Sequence, residues 1–253
     1  MIVDDFDGPE LDRSVWLPHY LPAWSSLAAT AATYALAGSC LRLSIPPSQS
    51  LWMAGEQAPP LRVSGVQSGN FSGPQGSAVG QQPLPGGSVV REAQTRFEGF
   101  LPRYGEGSMR ARMTLSPRSM AAWWMVGFED RPERCAEICV FEVFGDAVEP
   151  GRSAAVGMGL HPFRDPAIAD DFDAPRLPID VAEFHDYALR WTREEVAFLV
   201  DGELVRRCPR PPDYPMQSMV AVFDFPDRSV GDDADLVPEL VVDHLAWTPP
   251  GGG

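Results

Sequence analysis

Lysine is absent from this chain of 253 residues, and all 20 of its Lys-or-Arg positions are arginine. Against them stand 35 aspartates and glutamates, giving a net charge of −15. A surface of that sign repels phosphate, which excludes nucleic acid and an anionic membrane face as natural partners. Long apolar runs are missing too, with no stretch near the roughly 18 residues of a spanning helix. The opening MIVDDFDGPELD has neither the basic nor the apolar region of a secretory signal. As it stands, the chain is expected in the cytoplasm, or secreted if an upstream signal has been removed.

Cysteine is scarce. Cys40, Cys135, Cys139 and Cys208 are too few for a disulfide scaffold in a chain of this length. The C-x3-C spacing of Cys135 and Cys139 has no second Cys or His pair nearby, so they are expected to be free, buried thiols. No repeat period and no domain boundary is visible, and one domain over residues 1–253 is expected, a size within the range of all-β folds.

Proline and glycine, 26 and 23 of them, cut the chain into short runs. The one helix-like stretch is the Ala-rich SSLAATAATYALAG at 25–38, weakened by its threonines. The apolar segments at 40–46, 108–117, 120–128, 154–162 and 218–226 are strand-sized and bounded by Gly, Pro, Asp or Ser. Between 184 and 208, Tyr187, Leu189 and Trp191 alternate with polar or small residues, TREE interrupts, and VAFLV-DG-ELV forms a hairpin signal. The fold class is all-β, a sandwich or jelly roll of antiparallel sheets. Residues 46–90, rich in Gly, Pro, Ser and Gln, are expected to be functional loops.

The stretch AEICVFEVFG at 136–145 carries two carboxylates, Glu137 and Glu142, among Ile, Cys, Val and Phe. Burying them is costly unless a cleft solvates or uses them. On a regular strand a spacing of five puts them on opposite faces, so a bulge between them is required to bring them together. Paired in that way they suit retaining glycoside hydrolysis, one carboxyl as nucleophile and one as acid, then base. Two alternatives remain open: Glu142 faces solvent from an edge strand, and Glu137 caps or pairs with an arginine such as Arg134.

This stretch resembles the Glu-x-Asp-x-x-Glu strand of glycoside hydrolase family 16, the laminarinase, lichenase and agarase group, on its concanavalin-A-like β-jelly roll. DDFDGPELDRSVW at 4–16, GSMRARM at 107–113, AAWWM at 121–125 and FHDYALRWTREEVAFLVDGELV at 184–205 resemble further family segments in the same order. The resemblance implies Glu137 as nucleophile and Glu142 as acid/base, with Cys139 in the place of the middle Asp. It implies Trp124 and His161 at the sugar cleft. No cofactor is required. A structural calcium near the terminal strands would draw on Asp243, a residue type more often simply solvated there.

Three departures bear on activity. Cys139 removes a negative charge that is thought to tune the nucleophile, so the pair is expected to titrate lower and closer together. Met120 stands where Trp is usual, and VAVFDFP at 220–226 replaces an Asn- and Gly-containing strand. Trp24, Trp52, Trp123 and Trp124 are candidate groove aromatics, with Trp123 and Trp124 placed at the substrate. Arg91 is a candidate cleft cation, holding a substrate carboxylate or ordering Glu137. The expected activity is retaining cleavage of β-glycosidic bonds in a glucan-type polysaccharide by a monomer. The alternatives are a cytoplasmic small-molecule enzyme using both Glu, and a glycan-binding protein without catalysis.

Overall fold

A computed structural model describes residues 2–251 apart from 85, 86, 232 and 234. Two antiparallel sheets dominate it. Their strands, numbered in chain order, are β1 (Ile2–Asp4), β2 (Tyr34–Leu36), β3 (Leu41–Ser44), β4 (Arg62–Gln67), β5 (Gly105–Thr114), β6 (Ser119–Gly127), β7 (Glu137–Phe144), β8 (Gly157–His161), β9 (Asp171–Asp173), β10 (His185–Trp191), β11 (Glu195–Val200), β12 (Glu203–Pro209), β13 (Met216–Asp224) and β14 (Glu239–Thr248). One sheet runs β12-β11-β10-β5-β14-β3-β2, with β1 also on β14, and the other runs β9-β8-β7-β6-β13-β4. Among the described residues no helix is long and apolar enough to cross a membrane.

The two sheets differ in what covers them. In the first, β5 alternates buried with half-buried or exposed residues, as a sheet with one wet face must. Its inward side chains, Met109, Ala111 and Met113, meet Ile138, Phe141 and Val143 of the second sheet in the main core. In the second sheet, β6 and β13 are buried along their whole length. Their outer face carries a separate apolar cluster, in which Trp124, Met219 and Phe223 pack under Leu21, Trp24 and Trp52 from the N-terminal loops. The loops therefore close over this sheet and leave a cleft in one place.

The sequence reading of β10 to β12 matches the structure. Tyr187, Leu189 and Trp191 are all core residues, and Asp201 and Gly202 make the turn with positive φ of 51° and 80°. The Ala-rich stretch at 25–38 is corrected. Only Leu27–Thr30 is helical, with Ser26 capping it, while Tyr34–Leu36 pairs as β2 with β3. A four-residue helix gains little from alanine propensity, and pairing on the sheet edge outweighs it. All four cysteines are free and buried. Asp243 lies beside His244 and Arg110, at 3.1 and 3.6 Å, and no group of three His, Cys, Asp or Glu is poised for a metal among the described residues. A carboxylate beside a guanidinium does not fit a calcium site.

Candidate active site

The bulge that the two glutamates require is present. On β6, Trp123 pairs with Phe141 and Trp124 with Cys139, so Val140 has no partner of its own. The ladder to β8 shifts at the same level, between Gly157 and Gly159. Ile138, Val140, Phe141 and Val143 all face the main core, two consecutive residues among them, and this switches the parity of the strand. Glu137, Cys139 and Glu142 consequently share the cleft face. Both open alternatives are excluded: β7 is interior, between β6 and β8, and Arg134 pairs with Asp130 at 3.5 Å.

The cleft holds about 270 Å³. Reading across the ladder, its floor is built in rows: Phe144, Met120 and Phe223; then Glu142 and Ala122; then Cys139 and Trp124; then Glu137. Tyr20 and Gln82 come in from loops above. An adjoining cavity of about 300 Å³ continues past Tyr20, Leu61 and Gln82 toward Trp52, Phe163 and Arg164.

Burial governs the electrostatics here. It pushes the Glu137 carboxyl up to about 8, the charge of Glu142 adds to the rise, and the Gln82 side-chain amide, 3.5 Å from Oε2, opposes it. Glu142 is raised by burial as well, with His161 pulling the other way. Burial and both carboxylates hold the Cys139 thiol well above its ordinary value, so it remains protonated. Burial thus raises both glutamates above their ordinary values even though Cys139 adds no third carboxylate charge beside them. With Glu137 raised to about 8, this half-buried pair retains a proton at neutral pH.

The other sequence candidates divide. Trp124 lines the cleft, in edge contact with Tyr20 and tilted against Phe223. His161 lies opposite Glu137 in the ladder, stacks on Phe172 at 4.6 Å and bonds Asp170 at 2.9 Å. Trp123 is corrected: it is a core residue, 1% exposed, donating to Ser218 Oγ at 3.0 Å, and cannot reach a substrate. Strand alternation sends two consecutive tryptophans to opposite faces. Arg91 is corrected also, since its exposed side chain pairs with Glu56 outside both cavities. Trp24 is buried against Gln81 and lines neither cavity, and Trp52 lines the adjoining one.

Tyr20, Gln82 and Glu129 were missed. Burial and the nearby Glu137 raise the Tyr20 hydroxyl, which therefore stays neutral. Gln82 belongs to the loop-rich stretch at 46–90, of which Pro85 and Gly86 lie outside the described residues. Glu129 is buried, pairs with Arg164, accepts the backbone N–H of Gln82, and is pushed up to about 7 by burial. Nothing in the sequence near Tyr20 or Glu129 marks them, because loop packing alone brings them to the cleft.

A jelly roll whose bulged inner strand turns two half-buried carboxyls into one cleft is the architecture of a glycosidase fold. A sequence profile described as "Glycosyl hydrolases family 16" matches residues 95–225, which include Trp124, Glu137, Cys139, Glu142 and His161. The chain belongs to that family. Among solved structures, an endo-β-galactosidase from Clostridium perfringens that releases GlcNAcα1-4Gal superposes with a TM-score of 0.79 at 23% identity, over 100% of this chain and 63% of that one. The chain thus spans under two thirds of that relative. The catalytic domain of an endo-1,3-β-glucanase (laminarinase) from Thermotoga petrophila RKU-1 gives 0.68 at 16%, covering 99% of this chain and 98% of that one. A β-1,3-1,4-glucanase (lichenase) derived from a mouse hindgut metagenome gives 0.63 at 16%, covering 98% of each. At these identities the likeness is one of fold. No curated protein matches the chain significantly.

Proposed function

We propose that the protein hydrolyses a β-glycoside with retention of configuration, Glu137 acting as nucleophile and Glu142 as acid, then base. The observation that carries this is the bulge at Val140, which gives two half-buried carboxyls of raised pKa a common cleft face. Glu142 protonates the glycosidic oxygen while a Glu137 carboxylate oxygen attacks the anomeric carbon, forming a glycosyl ester and releasing the alcohol. Glu142, now ionised, takes a proton from water as that water attacks the same carbon and frees Glu137. The single proton shared by the pair supplies the first step. Trp124 offers a ring face to the sugar, and Gln82 steadies Glu137.

The test is product release from β-glucans and β-galactans of 1,3-, 1,4- and mixed linkage, and from simple β-glycosides of the same sugars. Wild type is compared with Glu137→Gln and Glu142→Gln. Release by wild type and a loss of at least about a thousandfold in each variant is the expected result. Cleavage that survives either substitution would sink the two-carboxylate mechanism.

A further inference from the structure

The cleft has two unlike ends. Its polar side chains Glu137, Cys139, Glu142 and Gln82 lie around the carboxyl pair, and Tyr20 bridges from there to edge contact with Phe223, ring centres 5.5 Å apart. Past Glu142 the wall is Met120, Phe144, Phe223 and Phe225, none of which offers a hydrogen-bond donor or an oxygen acceptor. Phe144 follows Glu142 by two residues of strand, about 7 Å, and shares its row with Met120 and Phe223. Phe225 stacks on Phe144 with ring centres 6.2 Å apart at 24°, and Arg228 covers both rings from outside.

The reaction fixes what has to occupy that end. An acid that protonates the glycosidic oxygen touches the leaving group, so the leaving group lies on the Glu142 side. A sugar there could lay its C–H face on the phenyl rings, but its hydroxyls would find no partner among these side chains, and each hydroxyl buried without one costs about 1–3 kcal/mol. An apolar group would instead gain about 25 cal/mol for every Å² taken out of water. Selectivity between the two is accordingly steep, since unpaired polar groups discriminate more strongly than lost apolar contacts.

We propose that the leaving group is an apolar, non-sugar alcohol, which makes the substrate a β-glycoside of a hydrophobic aglycone instead of an internal bond of a polysaccharide. This rests on Glu142 being the acid/base, as assigned above.

The experiment compares, for each of β-glucose, β-galactose and β-N-acetylglucosamine, the octyl glycoside below its micellar concentration, the methyl glycoside and an oligosaccharide with the same non-reducing sugar. All three leaving groups are unactivated alcohols, so their differences report the pocket. The octyl glycoside is expected to have a kcat/KM at least tenfold above the other two, and Phe225→Ser is expected to shrink that ratio below about twofold. A ratio measured within one preparation does not depend on how much of a variant folds. If oligosaccharides are cleaved as well as octyl glycosides, the inference is overturned and the glycosidase reading stands. If wild type cleaves nothing, the glycosidase reading fails, and calorimetric titration decides the pocket. Octyl glycoside binding at least tenfold tighter than methyl glycoside, and weakened by Phe225→Ser, upholds an apolar ligand end; equal binding overturns it.

Discussion

The Glu129 carboxylate accepts the backbone N–H of Gln82 at 2.6 Å, tying the loop above the cleft to a residue 47 positions later in the chain. Gln82 in turn reaches Glu137, so the protonation of Glu137 depends on a loop held by a different acid. Glu129→Ala is expected to lower kcat/KM about tenfold, mostly through KM. Glu129→Gln, which keeps an acceptor oxygen, is expected to restore most of that loss. Equal kinetics for both variants would show that the bond does not position the loop.

Activity should fall on the alkaline side with a midpoint near 8, where the carboxyl pair gives up its shared proton. The profile of kcat/KM against pH reports this directly. An alkaline limb unmoved by Gln82→Ala, which removes an opposing hydrogen bond and should shift it upward, would contradict the assignment.

Stability should carry the same signature. Below pH 4.5 Glu137 is protonated in both the folded and the unfolded chain. As the pH rises from there to about 8, the unfolded chain ionises first, so the folded state is progressively disfavoured. The full effect is roughly 3–5 kcal/mol for a shift of this size. Glu137→Gln should therefore melt above wild type at pH 8.5 by more than it does at pH 5. A constant difference in Tm would refute the burial argument.

Cys139 is 2% exposed and its thiol is held protonated by burial and, secondly, by the two carboxylates around it. Cys139→Ser should retain activity to within about threefold, and iodoacetamide should leave wild type active, because the thiolate is the reactive form. Inactivation by the reagent with label on Cys139 would show that the residue is far more accessible than its burial indicates.

The neighbouring tryptophans separate structure from binding. Trp123→Phe leaves the Ser218 hydroxyl without its partner inside the core and should lower Tm by several degrees with little change in KM. Trp124→Phe, on the cleft face, should raise KM severalfold with a smaller change in Tm. Thermal scans beside Michaelis kinetics distinguish the two.

The strands were legible where alternation and turn chemistry agreed, as at Tyr187, Leu189 and Trp191 and at the Asp201-Gly202 turn. The carboxyl pair was legible because acids inside an apolar run demand an explanation, and the odd spacing demanded a bulge. Residues 25–38 misled because alanine favours a helix locally while Tyr34–Leu36 is committed by its partner strand, a pairing no local pattern reveals. Trp123 misled because either of two adjacent tryptophans can be the inward one until the register is known. Tyr20, Gln82 and Glu129 reach the cleft through loops, where side-chain position follows from packing and not from periodicity.

The unpaired Val140 makes this site more sensitive to a change in register than to most changes in composition. Smoothing out the bulge at constant length, so that every residue of β7 took its own partner, would carry Glu142 through half a turn into the hydrocarbon interior, while Val143 swung out in its place. Every residue type that the chemistry calls for would still be encoded, two carboxylates five positions apart, but they would point to opposite sides of the sheet. The arrangement of this cleft thus resides in a register as well as in residue types, and the one extra residue in β7 is as much a part of it as the acids themselves.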